Sequence, residues 1–381
     1  MSFDIPQELL EMKKMTRNFV NKELMPIEQQ IEDTGEVPNA VTDKMKELGF
    51  FGITIPQEYG GMGLGTLGYC LLLEEIARVN SSIRSLISVN NSIGSKGILY
   101  DGNEEQKQKY LPALASGEKI AAFALTEPNA GSDAAAIETT AVRDGEFFVI
   151  NGTKHFITNG PSADVFTVMA LTDREKRARG GITAFVVEKG TPGFSVGQIH
   201  QSMGGRGVHQ SELIFEDCRV PAANVLGKVG DGFSIAMKTL DDGRLTLSAA
   251  CVGTADRLLD LSVDYANQRV QFGKPISTKQ AIQFMIADTA TELYAARSML
   301  YDAAVRSDRK EKLTKEAAMV KLFCSEMVGR AADRAVQIFG GMGWMKETPV
   351  ERIYRDVRIM RIVEGTSEIQ RIIISRELLK K

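Results

Sequence analysis

The sequence predicts an α+β protein, mainly helical, in three consecutive segments: an N-terminal helical region over 1–120, a middle antiparallel β-domain over 121–228, and a C-terminal helical bundle over 229–381. Three observations predict it. Residues 6–50 and 229–340 carry apolar side chains at spacings of three and four, the period of a helix with one buried face. From about 121 the chain breaks into short β-branched and aromatic runs separated by Gly, Asn and Asp. No crossover helices alternate with those runs, which argues against a doubly wound parallel sheet. A chain of 381 residues is long enough for two or three sizeable cores.

In order, "PQELLEMKKMTRNFVNKELMPIEQQIE" opens the helical region, followed by "YCLLLEEIARV" at 69–79 and "NEEQKQKYLPALASGE" at 103–118. Between them, "YGGMGLGTLG" satisfies GxGxxG through Gly63, Gly65 and Gly68, but its surroundings are helical rather than βαβ, so it is not read as a dinucleotide fingerprint. The runs "FFVINGTKHFITNG", "VFTVMALT", "ITAFVVEKG" and "SELIFEDCRVP" supply the strands of a barrel or sandwich. The helical pattern resumes at "GFSIAMKTLDDGRLTLSAACVG" and continues through two further long amphipathic segments.

Composition narrows the chemistry. With 46 Lys+Arg against 49 Asp+Glu there is no basic footprint for nucleic acid. No apolar run has transmembrane length and no signal-peptide core follows the N-terminus, so a cytoplasmic location is expected. Four scattered cysteines form neither a CxxC pair nor a disulfide framework. Three histidines, none at metal-ligand spacing in the sequence, give no expectation of a metal site. Chemistry is then expected from carboxylates, backbone groups or an organic cofactor.

Five stretches are candidates for that chemistry. "FALTEPNAGSD" (123–133) offers small residues, hydroxyls and exposed N–H groups to an anionic or ring-edge ligand. "NGTKHFITNG" (151–160) could lay an aromatic over a flat ring. "NQRVQFGKPI" (267–276) sets Arg269 and Gln271 beside Phe272, where a guanidinium could pair with phosphate. "QIFGGMGWMKETPVERIYRD" (337–356) places glycines between two helices. In "RIVEGTSEIQR" (361–371), Glu364 follows Ile362 and Val363; a carboxylate among apolar neighbours has a raised pKa and can act as a base. The same stretch also reads as a helix start, with Thr366 or Ser367 as N-cap and Glu368 in the first turn.

Together these segments, in this order and spacing, resemble the acyl-CoA dehydrogenase family over essentially the whole chain. "ALTEPNAGSDAAA" and "QIFGGMGWMKETPVERIYRD" are similar to its two signatures, with Trp344 where a smaller residue is usual, and "EGTSEIQR" is similar to its catalytic segment. The resemblance implies an N-terminal α-domain, a middle β-domain and a C-terminal four-helix bundle, assembled as a homotetramer that binds FAD. By similarity Phe123, Leu125, Thr126 and Ser132 line the flavin and its phosphates, and Phe156 and Thr158 face its ring, although many members carry Trp at the Phe156 place. Arg269, Gln271, Phe272, Gln337 and Gly341 are expected to hold the ADP half of a neighbouring subunit's FAD, and Thr366 and Glu368 to touch the FAD of their own subunit. The acyl-CoA thioester is expected at Ser132, at Asp241, Asp242 and Arg244, and at the Glu364–Gly365 backbone. Glu364 is the expected base; relatives that carry the base on the helix near "DDGR" have a small residue at this place, whereas here that helix position is Gly243. An electron-transfer flavoprotein is the implied electron acceptor. Two rival classes are an acyl-CoA oxidase, whose longer C-terminal extension is lacking here, and a non-catalytic flavoprotein partner, which the intact glutamate opposes.

The substrate is read from "NSSIRSLISVNNS" (80–92). Short-chain relatives resemble "SVNNS" but carry a small residue where Arg84 stands. Glutaryl-CoA dehydrogenases carry arginine then serine, as in Arg84–Ser85, to hold a distal carboxylate. An arginine in an apolar pocket is costly unless it meets an anion. It could instead turn outward or pair with Glu75. Decarboxylating relatives place a tyrosine and a glutamate where this chain has Val363 and Ala77. The expected reaction is therefore glutaryl-CoA to glutaconyl-CoA without loss of CO₂, with butyryl-CoA as the alternative.

Overall fold

The computed structural model describes residues 5–380, so the extreme ends of the first and third predicted segments lie outside the described residues. The N-terminal region comprises Gln7–Phe19, Glu28–Thr34, Asn39–Glu47, Thr66–Ile76, Ser81–Asn91, Ile93–Asp101 and Glu104–Ser116. The last of these starts at a capping box, in which Asn103 and Gln106 exchange side-chain to backbone hydrogen bonds of 2.8 and 3.0 Å.

The glycine-rich run before Thr66 has a structural role. Asp308, from the far end of the chain, accepts from the N–H groups of Thr66 (2.5 Å) and Leu67 (3.0 Å), and a Cβ at Gly65 would fall 2.5 Å from that carboxylate. This helix N-terminus, where a phosphate would bind in a dinucleotide site, is occupied by a side chain.

The middle region forms one sheet in the order Phe194–His200, Gln210–Pro221, Phe147–Thr158, Thr140–Asp144, Val165–Leu171, Ile182–Glu188, Val225–Leu226. The expectation of a purely antiparallel domain needs correction. Ala121–Ala124 pairs in parallel with Val165–Leu171, from Ala121 opposite Val165 to Ala124 opposite Val168, and Thr140 meets Leu171 in parallel. A parallel pair needs a crossover, and residues 125–164, with a hairpin inside them, provide one without an α-helix, only the 3-10 turn Ala134–Ala136. Val165–Leu171 is buried at every residue. Its Val165, Met169 and Leu171 pack with Ile98, Leu111 and Ile235 of the helices, while Phe166, Val168 and Ala170 pack with Phe148, Leu213 and Phe215 from the rest of the curled sheet. Burial on both faces explains why this run shows no alternation in sequence.

Gly232–Gln268, Gln280–Asp308, Thr314–Phe339 and Ser367–Leu379 make the C-terminal bundle. The two helical regions do not have separate cores: Leu24, Phe51, Leu72 and Ile87 belong to one apolar cluster with Cys251, Leu300, Met327 and Val357. Buried charges cross the same seam. Arg257 holds Glu28 through bonds of 2.5 and 2.6 Å, and Arg297 holds Glu74 at 2.8 Å. Among the described residues no helix is long and apolar enough to cross a membrane.

Candidate active site

Glu364 sits in a left-handed turn. After the short helical turn Arg358–Arg361, both Glu364 (φ 55°) and Gly365 (φ 92°) have positive φ, which costs a non-glycine residue roughly 1–2 kcal/mol. Two donors hold the turn. Lys321, fully buried on the Thr314–Phe339 helix, donates to Gly365 O at 2.7 Å. Gln370, buried one turn into the last helix, donates to Glu364 O (3.1 Å) and Gly365 O (2.9 Å). A Cβ at residue 365 would meet Gln370 Nε2 at 2.7 Å, so glycine is needed there on two counts. Both carbonyls are tied down, while the Glu364 N–H has no protein acceptor among the described residues and is free to donate to a ligand.

The carboxylate points inward, and its surroundings are not those the sequence suggested. Ile362 and Val363 are 47% and 37% exposed and do not enclose it. It is enclosed by Gly243 of the long Gly232–Gln268 helix, where a Cβ would fall 2.5 Å from Glu364 Oε2 and 3.3 Å from Ile93. Oε2 is sealed from solvent without a hydrogen-bond partner. This desolvation pushes the Glu364 pKa up to about 7, against the opposing pull of the Lys321, Arg84 and Arg244 cations. The last-helix start is also as expected: Thr366 is the N-cap, accepting from Ile369 N at 3.3 Å, and Glu368 lies in the first turn. The two readings of this stretch are compatible.

Around Glu364 stand groups the sequence did not single out. Lys321 is one; burial lowers its pKa. Tyr69, 1% exposed on Thr66–Ile76, has a hydroxyl with no partner and lies within electrostatic reach of both Arg84 and Glu364. Neither had a sequence signal, since a Lys or Tyr at a helix-period apolar position reads as core. Arg244 is buried, pairs with Asp241, and leaves Nε without a partner. Asp242 accepts from Tyr100 Oη, and Asp241 accepts from Thr314 at 3.4 Å.

Arg84 is part-buried on Ser81–Asn91, and its one side-chain hydrogen bond, at 3.4 Å, is to Ser85 Oγ. The alternative pairing with Glu75 does not occur, because Arg17 and Lys13 occupy that carboxylate. Among the described residues no acid lies within ion-pair distance of Arg84, and burial lowers its pKa. It lines a cavity of about 20 Å³, room for a water, together with Ala77, Asn80 and Asp356.

The other candidates fall into two places. His155 N donates to Thr126 O at 2.8 Å, which brings the Phe123–Thr126 stretch beside Phe156 and Thr158. Phe156 is 60% exposed at a β-bulge with φ 58°, and Ser132 is exposed nearby in sequence to Thr126. Arg269, Gln271, Phe272, Gln337 and Gly341 are all exposed and lie at the far end of the bundle, where Tyr265 stacks on Phe339 at 4.1 Å. Gln337 is sixteen positions beyond Lys321 on one continuous helix, so about 24 Å of helix separates it from the lysine that holds the Glu364 turn.

Three domain models cover this chain: the acyl-CoA dehydrogenase N-terminal domain over 6–118, the middle domain over 122–218 and the C-terminal domain over 230–379. The chain belongs to the acyl-CoA dehydrogenase family. An acyl-CoA dehydrogenase of Bacillus subtilis (strain 168) is 48% identical over 98% of this chain and 99% of its own. The butyryl-CoA dehydrogenase of Megasphaera elsdenii superposes with a TM-score of 0.96 at 39% identity, over all of both chains. A glutaryl-CoA dehydrogenase in complex with glutaryl-CoA gives 0.95 at 38%, over 100% of this chain and 97% of the other. Acyl-CoA dehydrogenases are flavin oxidoreductases acting on the CH–CH bond of acyl-CoA thioesters, with FAD as cofactor, and so is this chain.

The residues present fit that cofactor. Phe156 offers an exposed ring face, and Gly131, Gly340 and Gly341 have nothing within 4 Å of where a Cβ would stand, leaving the backbone open to a ligand. The sealed, unpartnered Oε2 of Glu364 is what a base awaiting a C–H proton requires. A carboxyl whose pKa is raised to about 7 is protonated below that pH and competent above it. The free-enzyme kcat/KM should therefore rise with pH through about 7 and level off above, measured under anaerobic turnover with an artificial acceptor. A profile flat down to pH 5 would remove Glu364 as the titrating base.

Proposed function

We propose that this chain dehydrogenates glutaryl-CoA to glutaconyl-CoA and retains the distal carboxylate. The observation that carries the reading is Arg84: a part-buried guanidinium, close enough to influence Glu364, with no acid partner among the described residues. Such a cation is stabilised by a substrate anion. Glu364 removes the α-proton, and its N–H, together with other donors, polarises the thioester carbonyl as negative charge develops there. The bound flavin supplies the acceptor for the β-hydride. Phe123, Leu125, Thr126, Phe156 and Thr158 seat the flavin, and Ser132, Asp241, Asp242 and Arg244 seat the thioester arm. Val363 and Ala77 stand where decarboxylating relatives carry a tyrosine and a glutamate, and neither supplies a polar group to assist expulsion of CO₂.

The roughly 24 Å of helix between Lys321, which holds the Glu364 turn, and Gln337 supports an ADP half held by a neighbouring subunit. Exposed Phe272 (93%) and Trp344 (80%) at that end favour a homotetramer. An electron-transfer flavoprotein is the proposed acceptor, and the cytoplasm the proposed location.

Butyryl-CoA is the second reading, favoured by the equally close butyryl-CoA dehydrogenase structure. Incubation with either thioester plus an artificial acceptor, followed by chromatography, separates the two. Glutaconyl-CoA should form, and Arg84→Gln should lower glutaryl-CoA turnover by about 10- to 100-fold, the value of a charge-assisted hydrogen bond, while sparing butyryl-CoA. Crotonyl-CoA as the product of glutaryl-CoA, or an Arg84→Gln variant without effect on it, would sink this reading.

A further inference from the structure

The curled sheet brings together three side chains that are far apart in sequence. Glu212 lies on Gln210–Pro221, which pairs with Phe147–Thr158 on one side and Phe194–His200 on the other. Both pairings break register at the same level. On one side Lys154 faces Leu213 and Ile157 faces Ser211, so His155 and Phe156 bulge opposite Glu212. On the other, Val196 faces Leu213 and Ile199 faces Ser211, so Gly197 and Gln198 bulge. These paired bulges aim His155 and His200 toward the carboxylate. His155 Nδ1 stands 3.3 Å from Glu212 Oε1, the imidazole centroids are 4.4 Å apart, and one donor atom from each of the three residues lies within 4.8 Å of the others.

The donors are also unused. His155 Nδ1 and His200 Nε2 are both shielded from solvent and make no hydrogen bond. Unpaired buried imidazole nitrogens are costly, and so point to a missing partner. The carboxylate is oriented from outside: Gln198 N donates to Glu212 Oε2 at 3.4 Å, leaving Oε1 toward the imidazoles. Gly197 makes this possible, since a Cβ there would press on Oε2 at 3.0 Å and on Glu212 Cβ at 3.0 Å. A backbone donor on the outer oxygen is the usual support for a ligating carboxylate.

The geometry points to a binding site for one divalent transition-metal cation, Zn²⁺ or a close analogue, held by His155, His200 and Glu212. Two imidazoles and one carboxylate are an N₂O set that suits zinc, and bonds of about 2.1 Å at tetrahedral angles put ligand atoms about 3.4 Å apart. The His155–Glu212 pair is already at that separation, and all three donors lie within 4.8 Å of one another, so the wider pairs must draw together on binding. All three residues are part-exposed, which leaves a path for an ion from solvent. The site lies beside the proposed flavin seat, since the Phe156 ring packs 4.0 Å from His155 and 5.0 Å from His200, so its test reads the metal itself rather than turnover.

The FAD-containing protein, stripped with chelator and dialysed against Zn²⁺, should retain one zinc per chain by elemental analysis. His200→Ala and Glu212→Gln should each reduce retention at least tenfold, with thermal melting unchanged. Co²⁺ added to the unmutated protein should give the intense visible bands of a four-coordinate ion, a readout that requires no variant. Zinc retention equal in the unmutated protein and the His200→Ala variant, or a Co²⁺ spectrum identical to the aqueous ion, would overturn the site.

Discussion

Glu364→Gln is expected to keep FAD bound and to slow flavin reduction by the best acyl-CoA by about two to four orders of magnitude, the typical value of general-base catalysis. The amide preserves the side chain's shape, and the turn that presents it is held through main-chain oxygens by Lys321 and Gln370, which the substitution leaves intact. Stopped-flow loss of flavin absorbance measures the step directly. Reduction at close to the unmutated rate would show that another group takes the proton.

Gly243→Ala should have a comparably large effect from the opposite wall. In a helix interior alanine is favoured over glycine by about 1 kcal/mol, so the substitution ought to stabilise the Gly232–Gln268 helix. Its methyl, however, falls 2.5 Å from Glu364 Oε2 and 3.0 Å from the carboxyl carbon, so the base must move. A displacement near 1 Å at the reacting group costs about 10²-fold in rate. The expected signature is a kcat drop of that order with undiminished thermal stability. A variant with full kcat would show that the carboxylate has slack that the structure does not.

Much of the fold was legible because helix and strand periods differ and each segment keeps one of them. Val165–Leu171 was visible as a strand, yet its partners were not, because a run buried on both faces carries no alternation to fix its pairing. The parallel seam with Ala121–Ala124 depends on a crossover made by a hairpin, which has no local signature. At the candidate site, the segment pointed to an enclosed Glu364 carboxylate, but the reason given locally was incomplete: the desolvating wall is Gly243 and Ile93, brought from elsewhere, rather than Ile362 and Val363. Lys321 and Tyr69 were hidden for the same reason, since their use depends on which helix they face. The histidines looked unrelated at positions 155 and 200 because two register breaks, invisible in composition, bring them together.

The single apolar cluster that joins Leu24 and Phe51 to Met327 and Val357 has a consequence for how the polypeptide is made. While the ribosome is still working through the strands, the first helices have emerged, but the surface that will cover Leu72, Leu73 and Ile76 has not been synthesised. Those side chains form an almost unbroken greasy stretch, "LLLEEI", all buried in the finished molecule. Glu74 and Glu75 interrupt it; Lys13 of the first helix can pair with Glu74 early, but the second cation on that carboxylate, Arg297, comes only with the C-terminal half. Contacts of such long sequence separation form late and slowly. Chains interrupted before residue 245 should therefore emerge sticky and protease-sensitive, and would be held by chaperones rather than released as a folded N-terminal half.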